Sequence, residues 1–144
     1  MRFYLDTSVL VKLYIKESHS REVSDWVRAN NEAIPITIFH KLEFTNAIQL
    51  KLFRTEMNEK QADTIFKRFS EHENQGIFYT PQINWANVLT HAIALSSNHT
   101  KSIGSRSLDI IHVASALSWK INRFFTFDTK QSQLAESTGM QLVN

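Results

Sequence analysis

Four acidic side chains in this 144-residue chain sit among apolar or small neighbours, where a charged group needs a reason. Asp6 follows Arg2-Phe3-Tyr4-Leu5, and Asp128 follows Arg123-Phe124-Phe125-Thr126-Phe127, so each ends a strand-like run and is itself followed by threonine. Glu43 lies between Leu42 and Phe44, and Asp109 borders the helical stripe Ile110, Val113, Ala114 and Leu117. Carboxylates held close together repel, and a hard divalent cation relieves that repulsion while keeping positions for water and phosphate oxygens. The chemistry open to such a group is metal-assisted displacement at phosphorus, in which water attacks and an oxygen leaves.

Each acid also has a plainer use. Asp6 suits the N-cap of a helix starting near Thr7, and Asp128 with Gln131 forms a capping-box pattern. Asp109 follows Ser107, a suitable N-cap, and so falls in a first turn where the helix dipole favours a carboxylate. A lone helical glutamate such as Glu43 is ordinarily a surface residue. The argument for a site rests on the conjunction. Thr7, Ser8 and Thr126 add hydroxyls beside the first and last acids, and Asn46 shares the helical face of Glu43. Arg106 and Lys101 carry charges suited to phosphates flanking a cut. His112 either bonds near Asp109 or moves a proton there, with a structural histidine as the simpler reading.

Positioning these residues requires strands that deliver Asp6 and Asp128 to one sheet edge. Open α/β sheets place ligands outside the carboxyl ends of parallel strands. Between the two runs, helical periodicity marks Val9, Leu10, Leu13 and Tyr14, then Val23, Trp26 and Val27 within 20–29, then a helix over His40 to Phe53. Asn58 with Gln61 predicts the cap of a fourth helix carrying Ala62, Ile65, Phe66 and Phe69, which Gly76 follows; Trp85, Val88, Leu89 and Ala92 predict a fifth. Ala33 to Ile38, Ile77 to Tyr79 and Met140 to Val143 read as further strands, and the polar stretch Ser96 to Ser105 as a functional loop. Strands alternating with helices predict a helix-rich α/β fold with a mostly parallel sheet.

The chain has 42% hydrophobic residues, three glycines, two prolines and no repeat, so one domain over residues 1–144 is expected. The absence of cysteine excludes disulfides, thiolate metal sites and cysteine nucleophiles, and fits a cytoplasmic location. The apolar stretch before Asp6 is too short for a signal peptide or a membrane span, so no membrane role is expected. Net charge is only +2, but with four acids engaged by metal the 16 basic residues outweigh the remaining acids, a balance that suits a polyanionic substrate.

The stretches Tyr4-Leu5-Asp6-Thr7-Ser8-Val9-Leu10-Val11-Lys12-Leu13-Tyr14, Leu42-Glu43-Phe44, Arg106-Ser107-Leu108-Asp109-Ile110-Ile111-His112-Val113-Ala114 and Phe125-Thr126-Phe127-Asp128 together resemble PIN-domain nucleases, most closely the VapC-type toxins of type II toxin–antitoxin pairs. The resemblance implies a three-layer α/β/α sandwich with a central parallel sheet. It implies a magnesium-dependent endoribonuclease, with manganese as a substitute, whose acidic quartet maps onto Asp6, Glu43, Asp109 and Asp128. It further implies an RNA substrate, a cognate antitoxin and a homodimer. One departure is Phe44-Thr45-Asn46, where such proteins often carry smaller apolar residues. Two other readings stand beside it: a nuclease of RNA or DNA processing without an antitoxin, and a non-catalytic RNA-binding or assembly module on the same fold.

Overall fold

The computed structural model describes residues 3–143, so Arg2, expected at the start of the first strand, lies outside the described residues. The elements run β1 (Tyr4–Leu5), α1 (Thr7–Val11), α2 (Ser20–Asn30), β2 (Ile34–Pro35), α3 (Ile38–Phe53), α4 (Glu59–Asn74), β3 (Phe78–Tyr79), α5 (Trp85–Leu95), a π-helical turn Ser96–Thr100, α6 (Lys101–Ile103), α7 (Ser107–Ser118), β4 (Arg123–Phe125), α8 (Thr129–Ser137) and β5 (Gln141–Leu142). Contacts divide the chain into two compact units, one of residues 1–6 and 82–144, the other of residues 7–81. Every strand pairing is parallel, as the alternation of strands and helices predicts, and the fold is α/β.

In the unit built from both ends of the chain, the sheet order is β1-β4-β5, with Tyr4 opposite Phe124 and Leu5 opposite Phe125. The apolar runs at Tyr4-Leu5 and Phe124-Phe125 are continuous rather than alternating because both faces of these strands are covered. Tyr4 and Phe124 share their core with Val88, Ala92 and Leu95 from α5, Ile110, Val113 and Ala114 from α7, and Leu134 and Ala135 from α8. Tyr4 stacks on Phe124 at 5.3 Å, and its hydroxyl meets His112 Nδ1 at 2.7 Å. That contact accounts for a buried histidine on an apolar stripe.

The 7–81 unit pairs β2 with β3, Ile34 opposite Phe78. Pro35, which has no N–H, is tolerated because the ladder donors on this strand are Ile34 N and Ile36 N. Its core is aromatic: Phe44 stacks on Phe69 at 4.6 Å, Phe69 on Phe78 at 5.2 Å, and Tyr14 meets Phe44 edge-on. The large residue at position 44 is therefore a core residue of this unit, 1% exposed.

Three sequence expectations need correction. Ser96 to Ser105 is helical for most of its length, and Gly104 ends it in the left-handed region at φ +76°, its N–H reaching Thr100 O at 2.7 Å. The N-cap of α7 is Arg106 rather than Ser107, and it makes no side-chain capping bond. Leu89 is 43% exposed; Val88, Ala92 and Leu95 form the buried line of α5 instead. Asn58 and Gln61 complete a reciprocal capping box, as read. A second box, which moves the start of α3 ahead to Ile38, uses Thr37 with the ring of His40.

Replacing Phe44 with alanine removes the centre of the aromatic cluster and is expected to lower the unfolding free energy by about 3–5 kcal/mol. Urea unfolding followed by far-UV circular dichroism checks it.

Candidate metal centre

Parallel register decides what stands at the carboxyl edge of the β1-β4-β5 sheet. Pairing of Leu5 with Phe125 is extended by Asp6 N, which donates to Phe125 O at 3.1 Å. Asp6 thus leaves β1 beside Thr126, although 120 residues separate them. The Thr126 hydroxyl donates to Asp6 Oδ2 in a very short hydrogen bond. Asp6 is only 3% exposed and Thr126 fully buried, so this donor compensates part of the desolvation of the carboxylate.

Thr126 also accepts from Asp128 N at 3.1 Å, which fixes the turn that carries the second acid. Asp128 Oδ1 accepts from Gln131 N at 2.8 Å and caps α8. The reciprocal half of the expected capping box is absent. Gln131, 1% exposed, turns its side chain inward, with Oε1 3.2 Å from Thr126 Oγ1 and Nε2 donating to Asp109 O at 3.4 Å. Gln131 therefore ties together the segments of the three candidate acids of this unit. The sequence marked it only as a capping partner; a glutamine on the apolar side of a helix opening after an acid was the available signal.

Asp109 occupies the first turn of α7, half-buried, and Arg106 Nε donates to its Oδ2 at 3.3 Å. Burial raises its pKa above the ordinary carboxylate value, the Arg106 charge and hydrogen bond oppose that, and the negative charge of Asp128 adds to the rise. The last effect records electrostatic coupling of the two acids. His112 lowers the same pKa by its charge, but its side chain is buried against Tyr4, and this placement supports the structural reading. Lys101 is exposed on α6.

The fourth acid, Glu43, belongs to the 7–81 unit. The Thr7 hydroxyl donates to Glu43 Oε1 at 2.9 Å, so the threonine after Asp6 in the chain orients the glutamate on α3. Asn46 and Ser8 are exposed in the same unit.

Among the described residues, no three His, Asp or Glu side chains already form a closed metal-binding group. The local geometry explains this: Asp6 is drawn to Thr126, Asp128 to its helix cap and Asp109 to Arg106. The donor chemistry nonetheless fits a hard cation. All the candidate ligands are carboxylate oxygens, and Asp109 is a half-buried acid whose pKa is raised by burial and, to a lesser degree, by the charge of Asp128, which a cation would relieve.

The PIN domain family model matches this chain over residues 3–137. Two solved structures share its fold. FitAcB from Neisseria gonorrhoeae superposes with a TM-score of 0.67 at 16% identity, covering 99% of this chain and 96% of that one. VapBC2 from Rickettsia felis, bound to a DNA fragment from its promoter, gives 0.67 at 14% identity over 100% and 98%. No curated protein matches the chain by sequence. A family match that runs from before β1 to the last residue of α8, and takes in all four acids, makes this chain a member of the PIN-domain family.

Proposed function

We propose that residues 1–144 form a single PIN nuclease domain that hydrolyses RNA phosphodiester bonds as a divalent-metal-dependent endoribonuclease, the toxin of a cytoplasmic toxin–antitoxin pair. The observation that carries the reading is the hydrogen-bonded junction of Asp6, Thr126, Asp128, Gln131 and the start of α7, which gathers three acid-bearing segments at one sheet edge. The family is one of nucleases, and the resemblance to VapC-type toxins together with a VapBC2 neighbour supports the toxin assignment.

In this proposal Asp6, Glu43, Asp109 and Asp128 hold magnesium, with manganese as a substitute. The metal supplies Lewis acidity toward a phosphate oxygen and an attacking water. Thr126 fixes the Asp6 carboxylate, Thr7 fixes that of Glu43, and Gln131 donates from its side chain to the Asp109 backbone and from its own N–H to the Asp128 carboxylate. Arg106 is 81% exposed and bonds Asp109 here; were that carboxylate engaged by a cation, the guanidinium would be free to hold an RNA phosphate. Lys101 adds a second cation for the strand, and Asn46 and Ser8 line its path.

Large apolar side chains lie in the open: Ile38, Leu42, Leu50 and Phe53 on α3, and Leu89 and Ile93 on α5. Phe53 is 84% exposed and Ile93 69%. Such side chains support burial against a protein, which in this proposal is an antitoxin and a second copy of the chain. No helix among the described residues is long and apolar enough to cross a membrane.

Cleavage of total cellular RNA by the purified chain is expected with magnesium or manganese, and is expected to vanish with chelator and in Asp6→Asn. Cleavage that persists in chelator rejects the metal mechanism. Inhibition by the product of an adjacent small reading frame separates a toxin from a processing nuclease.

The raised pKa of Asp109 sets a pH signature. Because protons compete with the cation at an acid that titrates above the usual range, manganese affinity is expected to fall on acidification sooner than for an ordinary carboxylate. Arg106→Gln removes the charge that opposes the rise and moves the fall to higher pH, a shift read by calorimetric titration of manganese. Stability of the metal-free protein has the opposite sign. The folded state holds the Asp109 proton more tightly than the unfolded chain, so its contribution is present below the unfolded pKa and is lost as pH rises through the folded one.

A further inference from the structure

Lys130 is the second residue of α8, two positions after Asp128. A cation in a first turn opposes the helix dipole. No carboxylate among the described residues lies within 4.0 Å of its ammonium to offset that. The side chain nevertheless has a definite place. It crosses Gly104, where a Cβ would meet Lys130 Nζ at 3.5 Å and Cε at 3.8 Å. Gly104 is the left-handed residue closing α6, two positions before Arg106, so the lysine tip rests in ordinary contact distance of the segment that leads to Arg106.

Lys130 follows Asp128 at the start of α8 and its tip lies beside the segment that leads to Arg106 and Asp109, all within one unit. Arg106 is paired with a carboxylate, and Lys130 has no such partner among the described residues. A polyanion approaching these carboxylates is repelled unless positive charge stands beside the metal, and an unpaired, positioned ammonium meets that need without first breaking an ion pair. We propose that Lys130 is a substrate-positioning residue that holds a backbone phosphate of single-stranded RNA on the α8 side of the acids. This deepens the nuclease reading and rests on it for the identity of the strand.

The test compares binding of a labelled single-stranded oligoribonucleotide to Asp6→Asn and Asp6→Asn/Lys130→Ala across a salt series, with RNA cleavage by the unaltered chain and by Lys130→Ala measured in parallel. Loss of one phosphate contact is expected to lower the slope of log affinity against log salt by about 0.7. Lys130→Arg is expected to restore the slope, and Lys67→Ala to leave it unchanged. In cleavage, Lys130→Ala is expected to raise KM with kcat largely kept. An unchanged slope overturns the inference even when cleavage proceeds, and so does failure of both proteins to bind RNA. A reduced slope with no cleavage by the unaltered chain upholds the phosphate contact and rejects the nuclease reading.

Discussion

A carboxylate removed from water needs donors, and the Thr126 hydroxyl that meets Asp6 is the bond on which the acidic edge of this fold depends. It joins the exit of β1 to the exit of β4 one residue beyond their pairing, and the same oxygen accepts from the backbone of Asp128. A hydroxyl has one proton. With that proton committed to Asp6, the contact to Gln131 Oε1 is the weaker partner, and Gln131 is oriented chiefly by its amide donation to Asp109 O. The direction of the whole set is therefore fixed by the charge on Asp6.

Packing and electrostatics work on different layers of the same segments. Tyr4, Val113, Phe124 and Leu134 bury apolar surface and make the strands and helices rigid. Immediately beyond them, at the strand ends and helix starts, the chain turns polar within one or two residues. His112 marks the boundary, since its ring is satisfied inside by Tyr4 while its charge is felt by Asp109 outside. Such an abrupt boundary gives acids a fixed backbone and a low-dielectric floor, which strengthens both their mutual repulsion and their attraction for a cation.

Much of this was legible in the residues. The continuous apolar runs before Asp6 and Asp128 identified buried parallel strands, and the Asn58 and Gln61 pair located a helix start, because both signals are local. The four acids were singled out by their apolar surroundings and by the family's motifs, and the roles proposed for them rest on that reading. What was not legible depended on tertiary direction. Gln131 has the sequence of a capping residue, but the pull of a buried Thr126 and of the α7 backbone wins over reciprocal capping. Ser96 to Ser105 has loop composition, but the helix of α5 continues into it through a π-helical turn. Lys130 gave no signal, since its neighbour Gly104 is 26 residues earlier in the chain.

The pairing of β1 with β4 joins segments about 120 residues apart in sequence. During synthesis Tyr4, Leu5 and Asp6 emerge first and cannot make this pairing until residues 123–128 have been made, and closing so long a loop is slow compared with forming any helix between them. A nascent chain short of residue 126 has the first aspartate but not the threonine that orients it, which delays assembly of the acidic edge until that later segment exists.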